Sequence, residues 1–245
     1  TVNVDAASTV TAAGNYSYAI SFKSKSDIDT PATGSSVTVA GTITGNILAD
    51  LNGNTVKVKA EYADELAAAG YATIEAENGL VAAIKAVAKI GETYYATLAE
   101  AFAAAQDGET TTLLADVTTS EVTTINKSIT LDGNDKTLTY TGTDRAIDVP
   151  ANADAKVNVT IENLTVDCTA SYCQRGINYN EDGKLKLNNV TVKGTNVTYA
   201  LNLPGSSDKC EVAINNSSLT GNIALNVWGE NSIINADNTT FTAVD

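Results

Sequence analysis

The alternation of apolar and polar residues in this chain slips by one position at asparagine and then resumes. In residues 156–167, KVNVTIENLTVD, the apolar side chains Val157, Val159 and Ile161 occupy every second place, and after Asn163 the pattern continues through Leu164 and Val166 with the opposite parity. Successive strand residues point to opposite faces, so a one-residue slip keeps the apolar face inward only if the chain turns there. The slip recurs: VTIENLTV, LKLNNVTV, VAINNSSL and INADNTTF bring Asn163, Asn189, Asn216 and Asn238 into one column. A second column runs through RAIDVP, RGINYN, YALNLP and IALNVW, aligning Ile147, Ile177, Leu201 and Leu225, each followed by Asp or Asn, and the last two spacings are 24 residues.

Short strands separated by Asn or Gly corners at such a period predict an all-β solenoid, a right-handed parallel β-helix with short capping helices. Each strand then pairs with its copy one turn away, about 4.8 Å along the axis, and like residues stack. A stack of corner asparagines passes amide hydrogen bonds from rung to rung and tolerates the left-handed backbone of a tight corner. The first residues read the same way. YAISFK from Tyr18 echoes YALNLP, and SSVTVAGTITGNIL echoes EVAINNSSLTGNIA.

Between these sets lies a different kind of sequence. AEYADELAAAGY places Tyr62, Leu66 and Ala69 on one helical face and stops at Gly70. TLAEAFAAAQDG opens with Thr97 and Glu100 in capping-box spacing and carries Leu98, Phe102 and Ala105 on one face. VAKIGETYYA, between them, reads as a hairpin turning near Gly91. The expected organisation is terminal rungs of one β-helix in 1–58, a helix and hairpin connector in 59–96, and a second β-helix with its N-terminal helix in 97–245.

These residues carry a resemblance. VAKIGETYYATLAEAFAAAQDGETTTLLADV followed by KSITLDGNDKTLTY resembles a module repeated in large surface proteins of gut bacteria, which have right-handed, pectate-lyase-like β-helices. The match covers roughly residues 86–140, and GYATIEAENG resembles the segment that precedes it. The resemblance implies an extracellular or cell-surface location. It implies no activity, because that family has no shared catalytic set.

Composition narrows the chemistry. Fifteen basic against 29 acidic residues give a net charge of -14, which repels nucleic acid and anionic lipid. Histidine is absent, so imidazole metal sites and His-dependent triads are excluded. No apolar run reaches the roughly 18 residues of a membrane span. Cys168 and Cys173 flank a four-residue loop, TASY, that either a disulfide closes or two free thiols border; Cys210 is unpaired in both cases.

The two arginines, Arg145 and Arg175, share one offset in adjacent rungs, and Tyr199 follows them, with Asp148 close by. One reading is a small site for a sugar carboxylate or hydroxyls with Tyr199 as a stacking platform. The other is a strand-start position where Asp144, Asp148 or Glu181 neutralises the guanidinium groups. Cross-rung pairs are expected between Asp167 and Lys193 and between Lys184 and Glu211. The acidic corners 132–136 and 180–183 offer clustered oxygens but not the spaced ligands of a dedicated calcium loop, so neither metal nor cofactor is assigned. Nine Asn-x-Ser/Thr triplets follow from rung composition. A non-enzymatic surface module with glycan or protein partners, self-associating through open β-helix ends, is the expectation. The alternative is a polysaccharide lyase or glycoside hydrolase, and no catalytic residue is assigned.

Overall fold

The computed structural model describes residues 1–13, 18–22, 33–48, 50–51, 53–152, 156–204 and 209–244. Lys23, the last residue of the Tyr18 echo, and Asn15, in the first Asn-x-Ser/Thr triplet, lie outside them. The chain is mostly β, a β-solenoid with two short α-helices and about eight turns in all. It forms two compact units, one of residues 1–86 with 93–96 and one of residues 87–92 with 97–245. The segment expected as a connector is divided between them.

In the first unit, Val2–Val4, Ser36–Val39 and Thr55–Lys59 stack in parallel, with Val2 opposite Val37 and Val37 opposite Val56. Thr9–Thr11 pairs with Thr42–Thr44, and Tyr18–Ile20 with Asn46–Leu48, also in parallel. The echoes read from the sequence are therefore rungs. Here a corner is made by Gly45, at φ 89°. Stacking ends when Leu80–Lys85 pairs antiparallel with Thr55–Lys59, and Tyr71–Glu75 pairs antiparallel with that strand in turn. An added antiparallel strand closes the sheet edge that a further parallel rung would extend.

The helix α1, Ala63–Ala68, follows a single 3-10 turn and ends at Gly70, whose φ of 85° reverses the chain as expected. Tyr62 and Leu66 are buried in the core of this unit with Val39, Ile43, Val56 and Val58, while Ala69 is exposed as the C-cap. The Tyr62 hydroxyl accepts a hydrogen bond from Ile43 N–H at 2.7 Å. A polar group of the last Thr42–Thr44 strand is thereby satisfied under the helix.

The second unit begins with Ala88–Ile90, antiparallel to Thr110–Leu113. The helix α2, Leu98–Ala104, has the full capping box: Thr97 Oγ1 accepts from Glu100 N–H, and Glu100 accepts from Thr97 N–H. Leu98, Ala101, Phe102 and Ala105 are buried, and Lys127 Nζ donates to the Ala103 and Ala105 carbonyls at the helix end.

From there each turn has three sides. The first side stacks 110–113, 130–132, 159–162, 184–188, 211–215 and 233–237. The second stacks 117–119, 136–140, 164–167, 190–193, 218–221 and 240–243. The third stacks 123–124, 145–149, 173–179, 197–203 and 223–227. All these pairings are parallel, and Leu131, Ile161 and Leu187 are fully buried one above another. A fully buried aliphatic side chain contributes about 1.5–3 kcal/mol, so each inward column is a main source of stability.

The corner between the first two sides is the parity slip. Asn163, Asn189, Asn216 and Asn238 all have positive φ, between 44° and 54°. Asn163 Nδ2 donates to Asp132 Oδ1 at 3.1 Å, Asn189 Nδ2 to Asn163 Oδ1 at 3.1 Å, and Asn238 Nδ2 to Asn216 Oδ1 at 2.8 Å. Between Asn189 and Asn216 the rungs are joined by Val190 N–H donating to the Ser217 hydroxyl at 3.0 Å. The earliest of these corners is larger. Gly133, Asn134 and Asp135 stand where the next rung has Asn163 alone, and Asn134 and Asp135 both have positive φ.

Candidate functional site

The third side carries the residues that the sequence singles out. Arg145, Arg175 and Tyr199 lie in register on neighbouring strands, and Ile223 continues the column. Asp148 heads the adjacent column, above which come Asn178, Asn202 and Asn226. The shared offset thus brings all four predicted residues to one face.

Once there, the charged groups turn to one another. Arg145 Nε donates to Asp144 Oδ1 at 3.0 Å, and its Nη1 donates to Asp148 Oδ1 at 3.1 Å. Burial alone lowers the Arg145 pKa, but the bonds to Asp144 and Asp148 outweigh it and the net shift is upward. Arg175 Nη1 lies 4.0 Å from Asp144 Oδ1, and its Nε is enclosed without a hydrogen-bond partner.

Asp148 Oδ1 also accepts from Asn178 Nδ2 at 2.7 Å. Asn202 Nδ2 donates to Asn178 Oδ1 at 2.7 Å, Asn226 Nδ2 to Asn202 Oδ1 at 2.6 Å, and Trp228 Nε1 to Asn226 Oδ1 at 2.9 Å. Each asparagine donor points toward the preceding rung, while Trp228 donates within its own, so the amide dipoles add along the axis and end on a carboxylate that Arg145 neutralises. Asn178 and Asn202 are each only 3% exposed. The sequence aligned this column but did not reveal that it is a continuous hydrogen-bonded chain, because that depends on side-chain reach from rung to rung.

On the first side, a groove of about 590 Å³ crosses four rungs. Its outward lining includes Asn158, Lys184, Lys186, Glu211, Ile233 and Asn235. Lys184 Nζ meets Glu211 at 2.8 Å, the cross-rung pair expected from the alignment. Lys193 meets Asp167 at 2.9 Å in the same way on the second side. Both lysines are about half exposed or more, which limits each pair to under about 1 kcal/mol. The groove itself escaped the sequence reading. Its cross-rung pair was visible, but a concavity comes from side-chain lengths across four strands.

The acidic corner 132–136 is occupied by its own fold. Asp132 Oδ1 accepts from Asn134 N–H at 2.9 Å as well as from Asn163 Nδ2. Among the described residues no group of three or more His, Cys, Asp and Glu side chains is placed to hold a metal ion, and no helix is long and apolar enough to cross a membrane.

The disulfide weighed for Cys168 and Cys173 is not formed; both are free, buried thiols, as is Cys210. The loop between them is held by hydrogen bonds. Asp167 Oδ1 accepts from Thr169 N–H and Oγ1, and Ser171 Oγ donates to the Thr141 and Gly142 carbonyls of the rung before. The Cys168 and Cys173 thiols hydrogen-bond to each other, which with burial raises the Cys168 pKa well above the ordinary thiol range. A buried, protonated thiol such as Cys168 is a poor nucleophile, while the same hydrogen bond lowers the Cys173 pKa.

No known protein family, curated protein or solved structure matches the chain.

Proposed function

We propose that this chain is a non-enzymatic structural and adhesive segment of a bacterial cell-surface or secreted protein, built on a right-handed, pectate-lyase-like β-helix. The observation that carries this reading is how the third side uses its chemistry. Arg145, Asp144, Asp148 and the asparagine column satisfy one another, rung on rung, in an arrangement suited to rigidity rather than to turnover. The resemblance of residues 86–140 to a repeated surface module supports the location. The partners in this reading are glycans or protein surfaces, met along the flat rung faces and the groove beside Lys184 and Lys186.

The same reading includes growth along the axis. The edges of Ile223–Val227, Ile233–Asp237 and Thr240–Ala243 carry exposed Trp228, Ile233 and Phe241. They suit strand pairing with another copy of the chain.

The competing reading, a lyase or glycosidase, is favoured by the groove, which spans several sugar units and holds both cations and a carboxylate. One screen separates the two. Acidic and neutral polysaccharides are immobilised, retention of the protein is measured, and the supernatant is assayed for released oligosaccharide with and without calcium. Retention without release is expected, reduced by Lys184→Ala with Lys186→Ala if the groove carries it, or by Arg145→Ala with Arg175→Ala if the third side does. Catalytic release of product overturns the structural reading.

A further inference from the structure

The corner between Cys173–Tyr179 and Lys184–Lys193 holds two carboxyl groups in an unusual state. Glu181 is 3% exposed, and its Oε1 is enclosed with no hydrogen-bond partner. The same is true of Asp182 Oδ1, in the next residue. Backbone N–H groups of Asn152 and Val157 hold the Glu181 carboxyl group without satisfying that oxygen. Among the described residues no lysine or arginine forms an ion pair with either carboxylate.

The surroundings are lined by oxygen. The Tyr179 hydroxyl donates to the Val157 carbonyl at 2.8 Å. A Cβ placed on Gly183 would lie 2.5 Å from Val157 O, 2.8 Å from Tyr179 Oη and 3.0 Å from Asn158 Oδ1, so those oxygens converge beside the same turn. Two enclosed carboxylate oxygens with no cation are strongly unfavourable, and the penalty is lifted by an ion that brings its own positive charge. The oxygen-only donor set fits a hard cation that accepts carboxylates and carbonyls in a flexible shell, which is the chemistry of calcium rather than of zinc or copper.

We propose that Glu181 and Asp182 bind one calcium-class divalent cation at this corner, with the Val157 carbonyl and the Asn158 amide oxygen, which converge beside Gly183 and already accept from Tyr179 Oη and Lys184 N–H, as further donors through their remaining lone pairs. The ion ties the end of one rung to the start of the next. Carbonyl oxygens and water complete the shell around the two carboxylates. The proposal does not depend on the adhesive role.

The test uses the full chain stripped with EDTA. Millimolar calcium chloride should raise the melting temperature by about 5 °C, as expected when the ion stands at roughly a hundredfold its dissociation constant. Terbium should bind with tyrosine-sensitised luminescence that calcium displaces. Glu181→Gln should be no less stable than the wild type in EDTA, because an enclosed charge is gone, and should lose at least about tenfold in calcium affinity. A wild type that shows neither a melting shift nor terbium luminescence overturns the proposal, leaving water or a proton on these oxygens. So does a Glu181→Gln variant that keeps its calcium response, since general screening of the net charge of -14 would then explain it. Should the variant fail to fold, the terbium measurement on the wild type decides alone.

Discussion

Asparagine does two different things in this fold, and the two respond differently to substitution. At the first corner its value is conformational as well as polar: Asn163 sits at φ 52° and passes one amide hydrogen bond along the stack. Asn163→Gly keeps the backbone and loses the bonds, whereas Asn163→Ala loses both. The alanine variant should be less stable than the glycine variant by about 1 kcal/mol, read from urea unfolding midpoints. Equal midpoints would mean that the left-handed backbone is not a constraint. In the third-side column the value is hydrogen bonding under burial. Asn202 is 3% exposed and lies between Asn178 and Asn226. Asn202→Ala leaves the Asn178 oxygen and the Asn226 amide without their partner, and should cost about 2–3 kcal/mol in the same measurement. A loss under about 0.5 kcal/mol would show the column to be a by-product of composition.

At the scale of elements, the two helices were legible because their signals are local. Thr97 and Glu100 have capping-box spacing and Gly70 stands just after the C-cap, and both behave as their chemistry dictates. What was not legible is how α1 reaches the sheet. The Tyr62 phenol accepting from Ile43 N–H joins residues 19 apart, through packing that no periodicity encodes. Tyr62→Phe retains the ring and removes that acceptor, so it should destabilise the first unit by about 1–2 kcal/mol, checked by hydrogen exchange at Ile43. Unchanged exchange there would deny the helix its part in satisfying the sheet. Cross-rung pairs were legible for the opposite reason: once the register was known, Lys193 had to lie beside Asp167.

Asp167 also sets a pH dependence. Burial raises its pKa, but the Thr169 hydroxyl and N–H and the Lys193 ammonium outweigh it and the net value falls below the ordinary carboxylate range. A carboxylate with a lowered folded-state pKa adds stability above its unfolded value and loses it as pH falls through the folded one. Asp167→Asn should therefore be less stable than wild type near neutrality, by about 1 kcal/mol or less, and the difference should close below about pH 4. Acid and urea titration together measure this. A difference that persists unchanged into acid would assign the effect to packing.

Across the whole molecule, the solenoid was legible because a one-dimensional stack writes its register into the sequence. Asn163, Asn189, Asn216 and Asn238 are far apart along the chain and occupy one corner column. The candidate site was legible only in part. Arg145, Arg175, Tyr199 and Asp148 could be aligned, but whether their charges face a ligand or each other depends on side-chain reach, and they face each other. Of the two states that the spacing of Cys168 and Cys173 allows, the free thiols are found, and the loop is held by Asp167 and Ser171. The step from Asp148 to Asn178 is 30 residues and the next two are 24, so one long insertion is absorbed without disturbing the register.

The stack itself is tested most directly by a spin-label distance. Thr137, Thr165, Thr191, Ser218 and Thr240 form one column through five successive rungs. Labels are placed on cysteines substituted at Thr137 and Thr240, while the native thiols, all buried, remain unlabelled in the folded protein. Four rung steps predict a backbone separation of about 19 Å with a narrow distribution. A broad distribution, or a separation well beyond about 30 Å, would contradict the parallel stack.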